Sequence, residues 1–427
     1  MADQTPPALS LTRRSLLLGG GIAAAAASLP VTLRATAQTQ PAAADSPMPL
    51  RFDASGRFKI IQFNDTQDNH LTDRRTIEFM DRVLDIEKPG FALINGDVID
   101  GGPTTPEQVY QAINNVVLPM ESRAIPWAIT FGNHDEDSIE EHGTGVTEAH
   151  IAEFVRTYKY NLNPPAGERP FGHSDAHLLI ASAHDAARAS YSVWLVDSGN
   201  YMPEDFQEAA GEDVPHYDYI RPAQIDWYLG RSRAAEARFG APVPGLMFFH
   251  IPTYEHRDMW FGGPAKTSGI DHNAAARKHN IDGVKHEDVY YGAFNSGIYA
   301  AVRDRGDVQG IYCGHDHINS FCGDYYGVEL GYCPGTGFAP YGLRDGTRDQ
   351  HTLRGARVFE LNENTERVYE STRLIFAKDL GADMAPAKQP IDAPAPLPDY
   401  VTLPSATPTP VPAEGSSLSS NALSSLS

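Results

Sequence analysis

Cysteine is scarce in this chain of 427 residues, with only Cys313, Cys322 and Cys333 present. Three cysteines are too few for a disulfide framework, so the chain is not a small disulfide-stapled domain. Cys313 ends an apolar run and is predicted to be a buried thiol. Cys322 and Cys333 are separated by a segment with turn residues and could pair in an oxidising compartment, which the spacing alone leaves open.

Basic residues are also few relative to acidic ones. The chain has 34 Lys and Arg residues against 55 Asp and Glu residues, which gives a formal net charge of −21 at pH 7. A chain with this charge repels nucleic acid and anionic membrane surfaces. No nucleic acid is therefore expected as a partner.

Long hydrophobic runs are missing as well. The apolar stretch near the N-terminus is interrupted by three consecutive glycines, so no stable membrane span is expected. It lies between the pair Arg13-Arg14 and the small-residue site Ala35-Thr36-Ala37. This order predicts a twin-arginine signal peptide over residues 1–37, and a disordered cytosolic leader is the alternative.

Export would bring the protein into contact with the twin-arginine translocation machinery. Its expected location is then periplasmic, cell-wall associated or secreted. Composition divides the rest of the chain into a linker over residues 38–50, a globular domain over residues 51–380 and a tail rich in Pro, Ala and Ser over residues 381–427. The tail is predicted to be disordered, because it has too few large apolar side chains to offset its ordering entropy.

The chain does contain five short apolar runs, each followed directly by a polar motif. The runs are rich in Ile, Phe and Val, as buried strands are. In chain order they are Phe58–Phe63, Phe91–Asn95, Trp127–Phe131, Leu246–Phe249 and Gly310–Cys313. The motifs that follow them are Asn64-Asp65-Thr66-Gln67, Gly96-Asp97-Val98-Ile99-Asp100, Gly132-Asn133-His134-Asp135, His250-Ile251-Pro252 and Gly314-His315-Asp316-His317.

Helical patterns alternate with these strands and predict an α/β fold. They cover residues 75–87, 107–120 and 222–238, whereas residues 136–189 and 253–296 are predicted to be long irregular loops that carry specificity. In open α/β sheets, ligands bind outside the carboxyl ends of the strands. The five motifs are therefore expected to converge on one site.

The motifs supply the oxygen and nitrogen donors of a two-metal centre. Asp65 and Asp97 offer carboxylates, and a carboxylate after a glycine turn can bridge two cations. His315 and His317 are two residues apart and can reach neighbouring cations, while His250 adds a third imidazole. Each motif alone is more often a polar turn or a core histidine, but the ordered set indicates a dinuclear hydrolytic site.

The third motif adds a ligand and a group of a different kind. Asn133 offers an amide oxygen, which is a rare choice of ligand. His134, its neighbour, is expected to point toward the substrate instead of the metal. Asp135 is expected to hydrogen-bond the imidazole of His134 and keep it protonated.

With these residues in view, the chain resembles the calcineurin-like metallophosphoesterases, a family that includes purple acid phosphatases and many exported bacterial phosphatases. The resemblance covers about residues 58–335 and rests on the ordered set of motifs. It implies a four-layer sandwich of two mixed β-sheets flanked by helices. It also implies one metal ion held by Asp65, Asp97 and His317, and a second held by Asp97, Asn133, His250 and His315. His134 would stabilise the transition state or protonate the leaving group, with Asp135 orienting it.

One position departs from the family pattern. Gln67 stands where the family has the histidine of its Asp-x-His motif, and it would give the first metal ion an amide oxygen in place of an imidazole. This change favours Mn or Fe over Zn. A second register, Asp68-Asn69-His70, spells the same motif three residues later and is the alternative.

The predicted function is that of an exported, metal-dependent phosphoric ester hydrolase, a phosphatase or a phosphodiesterase. A hydroxide that bridges the two metal ions would attack the phosphorus of a small phosphate ester in line. The alternative is a non-catalytic metal- or phosphate-binding protein, which would have no use for His134. One aromatic segment either lines the leaving-group pocket or forms a small core of its own, and its residues are Tyr254, His256, Arg257, Trp260 and Phe261.

Overall fold

A computed structural model describes residues 48–405 of the chain, except residue 168, residues 212–213 and residues 346–347. The predicted signal peptide lies outside the described residues, as do most of the predicted linker and residues 406–427 of the predicted tail.

Two large β-sheets and one small hairpin make up the strands of the described chain. The strands are β1 (Leu50–Arg51), β2 (Arg57–Phe63), β3 (Phe91–Asn95), β4 (Trp127–Thr130), β5 (Ala176–Ala181), β6 (Ala189–Leu195), β7 (Gly245–Phe248), β8 (Val308–Cys313), β9 (Cys322–Tyr325), β10 (Val328–Tyr332), β11 (Leu343–Asp345), β12 (Arg348–Gln350), β13 (Gly355–Asn362) and β14 (Tyr369–Phe376). One sheet has the order β14-β13-β2-β3-β4, and the other has the order β1-β5-β6-β7-β8-β10-β9.

Both sheets mix parallel and antiparallel pairs. In the five-stranded sheet, β2 and β4 lie parallel to β3, and β13 is antiparallel to both β2 and β14. In the seven-stranded sheet, β6, β7 and β8 are parallel, while β5 and β9 run antiparallel to their neighbours β6 and β10. The five predicted strands are therefore confirmed as β2, β3, β4, β7 and β8.

Helices connect and cover the sheets. They are α1 (Arg74–Glu87), α2 (Pro106–Glu121), α3 (Asp137–His142), α4 (Glu148–Val155), α5 (Glu204–Ala210), α6 (Pro222–Phe239), α7 (Tyr254–Phe261), α8 (Gly269–His279) and α9 (Ile298–Arg305). The three predicted helices are confirmed as α1, α2 and α6. Each starts with an expected signal: the side chain of Asp73 caps α1, Thr105 caps α2, and a proline begins α2 and α6.

Two expectations about the loops were wrong. Residues 136–189 contain α3, α4 and β5, and residues 253–296 contain α7 and α8. Because these helices are short and rich in polar residues, their hydrophobic period is weak. None of the helices in the described ranges is both long enough and apolar enough to cross a membrane.

The alternation of side chains along the strands produces four layers. Ile60 and Phe248 belong to the core between the two sheets. Their neighbours point outward: Ile61 packs with side chains of α1 and α2, and Met247 packs with side chains of α6 and α7. Full burial of such a side chain stabilises the fold by about 1.5–3 kcal/mol. The predicted four-layer sandwich of two mixed sheets flanked by helices is confirmed.

The two sheets also meet at the carboxyl ends of the motif strands. Asn95 Nδ2, at the end of β3, donates to the carbonyl oxygen of Phe249 at 2.9 Å. Gln62 Nε2, near the end of β2, donates to the carbonyl oxygen of Cys313 at 3.2 Å. These buried amides join one sheet to the other, so the loops that leave both sheets begin side by side.

The segment predicted to be a disordered tail is ordered as far as residue 401. Residues 382–401, called the C-terminal strap below, run back over α1 and α2. Arg75 of α1 is 1% exposed and donates to the carbonyl oxygens of three strap residues, Asp383, Ala385 and Ala387. Four strap side chains pack against the core beside these helices, those of Ala382, Met384, Leu397 and Val401. The prediction of disorder was wrong here, because hydrogen bonds to helix side chains offset the low apolar content of the strap.

The cysteines are free thiols. Cys313 is buried, as predicted. Cys322 lies 3.8 Å from Arg357 Nη1, whereas the thiol of Cys333 lies 3.3 Å from the carbonyl oxygen of Gln62. The two cysteines that could have paired therefore have separate surroundings and no disulfide joins them.

Candidate metal centre

Several candidate metal ligands lie on loops with a left-handed backbone conformation. Asp65, Gln67, Asp97 and His315 all have positive φ, at 48°, 32°, 48° and 71°. Residues other than glycine adopt this left-handed region rarely, at a cost on the order of 1 kcal/mol each. Such conformations persist only where the surroundings enforce them, and here they turn three loops toward a common point.

Two glycines allow the loops to approach closely. A Cβ on Gly132 would lie 2.2 Å from Asp97 Oδ1, and a Cβ on Gly96 would lie 2.3 Å from His250 Nδ1. Gly96 also has a φ of +85°. The second and third motifs therefore need glycine at these positions, because a larger residue would collide with the side chains of the site.

Asp97 lies at the centre of the site. Its Oδ2 is 3.2 Å from His250 Nε2. His250 Nε2 is also 3.8 Å from Asp65 Oδ1, and His317 Nε2 is 3.4 Å from the same oxygen. Two groups of side chains could hold a metal ion, and Asp97 belongs to both. One group is Asp97, His250 and His315, and the other is Asp65, Asp97 and His317. The ligand atoms of each group lie within 4.8 Å of one another.

The two amide side chains border these groups. The backbone N–H of Gln67 donates to the carbonyl oxygen of Asp97 at 2.9 Å. The backbone N–H of His134, next to Asn133, donates to Asp97 Oδ1 at 2.9 Å. The structure thus brings five of the seven predicted metal ligands into two groups that share Asp97, and it places the backbones of Gln67 and of the residue after Asn133 beside Asp97. The second register of the first motif does not contribute, since the carboxylate of Asp68 instead accepts backbone N–H groups of Asn69 and Asp73.

Five of these side chains have a buried polar atom that makes no hydrogen bond among the described residues, and two of the five atoms, Asp97 Oδ2 and His250 Nε2, face each other as an ion pair at 3.2 Å. The atoms are Gln67 Oε1, Asp97 Oδ2, Asn133 Oδ1, His250 Nε2 and His315 Nε2. A buried polar atom without a partner costs about 1–3 kcal/mol, and such atoms are rare in native proteins. Five of them in adjoining loops fit a site that binds cations, which would satisfy all of them at once.

Hydrogen bonds orient the histidines. His250 Nδ1 lies 2.9 Å from the carbonyl oxygen of Asn95, which leaves Nε2 to face Asp97. His317 Nδ1 lies 3.4 Å from the carbonyl oxygen of Tyr341, whose ring stacks on the imidazole at 4.1 Å. Such outer contacts fix the ring orientation and select the nitrogen that binds a metal.

The site has an electrostatic preference for positive charge. Burial lowers the pKa of His250, but the neighbouring carboxylate of Asp97 outweighs this effect and raises it to about 10. Burial lowers the pKa of His315 well below its usual range, so this imidazole is neutral, which is the form that binds a metal. The negative potential that retains a proton on His250 also favours a cation.

Asp135 does not orient His134, contrary to the sequence prediction. Its carboxylate accepts the backbone N–H groups of Val98 at 2.8 Å, Ile99 at 3.2 Å and Gly132 at 2.8 Å. Burial, aided by the charge of Asp97, raises the pKa of Asp135 to about 7. Asp135 therefore ties the loop of Asp97 to the loop of Asn133.

The partner of His134 is Asp137, at the start of α3. His134 Nδ1 lies 2.5 Å from Asp137 Oδ2. Burial lowers the pKa of His134, but Asp97 and Asp137 outweigh burial and raise it to about 9. His134 belongs to neither metal group among the described residues, and its side chain is 35% exposed. A partly exposed imidazolium beside the metal groups can stabilise negative charge or donate a proton.

Two tyrosines that the sequence did not single out complete the site. Asn133 Nδ2 donates to the hydroxyl oxygen of Tyr201 at 2.7 Å, which directs the amide so that its oxygen remains free for a metal. Tyr217 contacts the ring of His315 edge-on at 4.3 Å, and it stacks on Tyr201 at 5.7 Å. Both lie outside the helix α5 in the stretch between β6 and α6, which has no recognisable sequence motif.

These tyrosines open onto a cavity of about 870 Å³. Arg257 and Phe261 line it together with Lys285, which matches one of the two alternatives left open for this segment. Two other residues of this segment belong to the protein interior instead. His256 is buried, and Trp260 packs with the core of the seven-stranded sheet. The segment therefore both lines the cavity and contributes to the core.

Comparisons with known proteins show what this chain is similar to. The model of the calcineurin-like phosphoesterase family matches residues 58–319. "Probable inactive purple acid phosphatase 29" of Arabidopsis thaliana is 30% identical over 320 residues, covering 69% of this chain and 75% of that protein. Phosphatase DCR2 of Saccharomyces cerevisiae is 28% identical over 345 residues, covering 75% of this chain and 54% of that protein. A solved dimetal phosphatase from Danio rerio is 12% identical, with a TM-score of 0.39, and covers 78% of this chain and 100% of that chain.

Proposed function

Because the chain belongs to the calcineurin-like phosphoesterase family, we propose that it is an exported enzyme that hydrolyses small phosphate esters with the help of two metal ions. The observation that carries the proposal is the set of five unpartnered donor atoms around Asp97. A fold that keeps so many buried donors unsatisfied supports binding of cations at this point.

In this proposal the ligands divide into two sets that share one carboxylate. Asp97 serves both ions; one ion is also held by Asp65, Gln67 and His317, and the other by Asn133, His250 and His315. When bound, two such ions lower the pKa of a water molecule and neutralise charge on the phosphoryl oxygens. The oxygen of Gln67 favours Mn or Fe over Zn at the first position.

His134 acts on the reacting ester in this proposal. Asp137 holds its Nδ1 at 2.5 Å and favours the protonated ring, so the imidazolium is available to the leaving group or to the phosphoryl oxygens. Asp135 acts through backbone groups and is a positioning residue. It holds the loops of Asp97 and Asn133 in register.

The leaving group would occupy the cavity beside Tyr201 and Tyr217. The aromatic walls give it apolar surface, and Arg257 and Lys285 give it positive charge. These walls come from loops and short helices on a rigid two-sheet scaffold, which is where specificity usually resides.

A non-catalytic protein with the same fold is the second candidate. It is favoured by Gln67, which replaces an imidazole, and by the relative named probable inactive. The His134–Asp137 pair favours the enzyme, because a histidine outside the ligand set has no function in metal binding alone.

A paired assay tests the proposal. The purified, metal-free protein is loaded with Mn, Fe or Zn and assayed with an aryl phosphate monoester and the matching diester. Hydrolysis of either ester that requires added metal supports the enzyme. Binding of two metal ions without turnover of either ester supports the non-catalytic candidate, and failure to bind metal would reject the enzyme and would leave only a phosphate-binding role.

Export is part of the proposal and rests on Arg13-Arg14 and the small-residue site at Ala35-Thr36-Ala37. A periplasmic, cell-wall associated or secreted enzyme would meet phosphate esters outside the cytoplasm. The same segment would engage the twin-arginine translocation machinery.

A further inference from the structure

We propose that the C-terminal strap, acting through Lys388, positions the loop that presents Asp65 and Gln67 and so determines the affinity of the first metal ion. The inference rests on the proposed two-metal function. It assigns a positioning role to a segment far away in the sequence from every motif of the site.

The strap is attached to the end of this loop by backbone hydrogen bonds. Arg74 N donates to the carbonyl oxygen of Gln389 at 2.8 Å, and Ile391 N donates to the carbonyl oxygen of Thr72 at 3.0 Å. Asp73 and Pro390 also form an antiparallel bridge. The strap therefore runs as a short extra strand along residues 72–74.

A buried ion pair strengthens this attachment. Asp73 accepts a hydrogen bond from Arg75 Nη2 at 2.7 Å and from the backbone N–H of Gln389 at 2.9 Å. Arg75 in turn donates to strap carbonyls, as described above. The strap, the cap of α1 and the end of the loop thus form one hydrogen-bonded unit.

Lys388 extends the unit toward the metal ligands. Its ammonium group forms an ion pair with Asp68, which is 2% exposed and follows Gln67 directly. The carboxylate of Asp68 also accepts the backbone N–H groups of Asn69 and Asp73, both at 2.7 Å. A buried carboxylate that loses its counterion is strongly destabilising. Without Lys388, Asp68 would either take up a proton or require water, and both outcomes would weaken its hold on the loop.

The loop needs such external support because its own backbone is strained. Asp65 and Gln67 have positive φ, and the side-chain oxygen of Gln67 has no hydrogen-bond partner among the described residues. Strained residues keep their conformation only when contacts around them enforce it. Lys388 and the strap supply contacts at Asp68 and at residues 72–74, directly after these strained residues.

The effect should fall on one metal ion of the two. The hydrogen bonds and the ion pair of the strap reach residues 68–75, residues 114–121 and His351. Asn133, His250 and His315 leave the sheets on other loops. Loss of Lys388 is therefore expected to weaken the ion held by Asp65, Gln67 and His317, and to leave the other ion in place.

The test is a metal titration of the full chain, followed by calorimetry and by metal analysis after dialysis. Lys388→Met is expected to weaken one of two Mn sites roughly tenfold, the lower end of the range for residues that orient metal ligands. Lys388→Arg keeps the charge and should restore the affinity. In a His317→Ala background, where the first site is already impaired, Lys388→Met should have no further effect.

Tyr400→Phe is the matched control at the other end of the strap. Tyr400 donates to Glu121 Oε1 at 2.6 Å, far along the chain from Lys388, and its loss should leave both metal affinities unchanged. Two unchanged affinities in Lys388→Met, or equal weakening of both sites, would overturn this inference alone. A wild-type protein that takes up no metal would overturn the proposed function and this inference with it.

Discussion

Asp97 is the side chain that both metal groups share, and its position at a glycine turn explains how it can do so. One of its oxygens accepts the backbone N–H of His134, while the other has no hydrogen-bond partner among the described residues and faces His250. Each oxygen is therefore held in a different direction, which suits a carboxylate that serves two cations.

We expect Asp97→Asn to abolish hydrolysis and to lower metal content sharply. The amide keeps the size of the side chain but removes the negative charge that both ions would share. Metal analysis after dialysis, with activity measured in parallel, checks this. The control is Asp226→Asn on α6. Asp68→Asn is not suitable as a control, because Asp68 supports the first loop. A full metal complement in Asp97→Asn would contradict the shared role.

His134→Ala is expected to leave metal stoichiometry unchanged and to lower kcat by about 10²–10⁴, the usual range for a positioned acid or base. The loss should be larger for alkoxide leaving groups than for nitrophenolate, which needs little protonation. Asp137→Asn should cause a smaller loss and shift the alkaline limb of the pH profile to lower pH, because the imidazole then loses its proton earlier.

Equal losses for both kinds of leaving group would indicate charge stabilisation in place of proton donation. Unchanged turnover with every substrate would remove His134 from the mechanism and favour the non-catalytic candidate. A pH profile of Asp137→Asn that matches the wild type would show that Asp137 does not control the protonation of His134.

The sequence could single out the seven candidate ligands because each follows a strand in a short, ordered motif. It could not predict Asp137, Tyr201 or Tyr217, which reach the site through a helix start and an irregular loop. Asp135 was misassigned for a related reason. Adjacency in sequence suggested contact with His134, but the backbone turn points the carboxylate toward N–H groups of a different loop.

At the scale of elements, α4 begins with a buried acid. Glu148 is 6% exposed, and burial raises its pKa well above the usual range, with Asp197 and Glu136 adding to the effect. Below the pKa of the unfolded chain, the carboxyl group is protonated in both states and costs nothing. As pH rises toward the higher pKa of the folded state, the unfolded chain ionises first, so stability is lost.

Glu148→Gln is therefore expected to stabilise the protein at pH 8 and to have little effect at pH 4. Each pKa unit by which the folded and unfolded states differ corresponds to about 1.4 kcal/mol. Urea unfolding of the metal-loaded protein at both pH values measures this. Glu153→Gln on the same helix is the control, and an equal gain at both pH values would point to packing instead of ionisation.

β13 and the strap were not predicted for the same physical reason, which is that residues distant in the sequence hold them in place. β13 supplies the antiparallel partner of β2, but no motif follows it and nothing local marks its pairing. The strap was missed because its Pro/Ala composition resembles a disordered tail. Its order comes from Arg75 and Asn115, which lie about 280–310 positions earlier in the chain.

At the scale of the whole molecule, the described residues form one two-sheet sandwich, and its C-terminal strap binds back to α1 and α2. The predicted leader precedes this sandwich in the sequence. We expect the exported form to begin at Gln38, because cleavage is predicted after Ala37. Mass spectrometry of the periplasmic or secreted fraction checks this. Replacement of Arg13-Arg14 by Lys-Lys should retain the protein in the cytoplasm; an intact Met1 terminus in a cytosolic fraction of the wild type would contradict export.

The pairing of β2 with β13 and of Asp68 with Lys388 has a consequence for biosynthesis. Lys388 is made 320 residues after Asp68. At a synthesis rate of about 5–20 residues per second, the loop of Asp65 and Gln67 waits on the order of tens of seconds for its supporting partners. Closing contacts so distant in sequence is also slow. In the proposed function, metal loading would therefore be a late event, completed only after synthesis has passed Lys388.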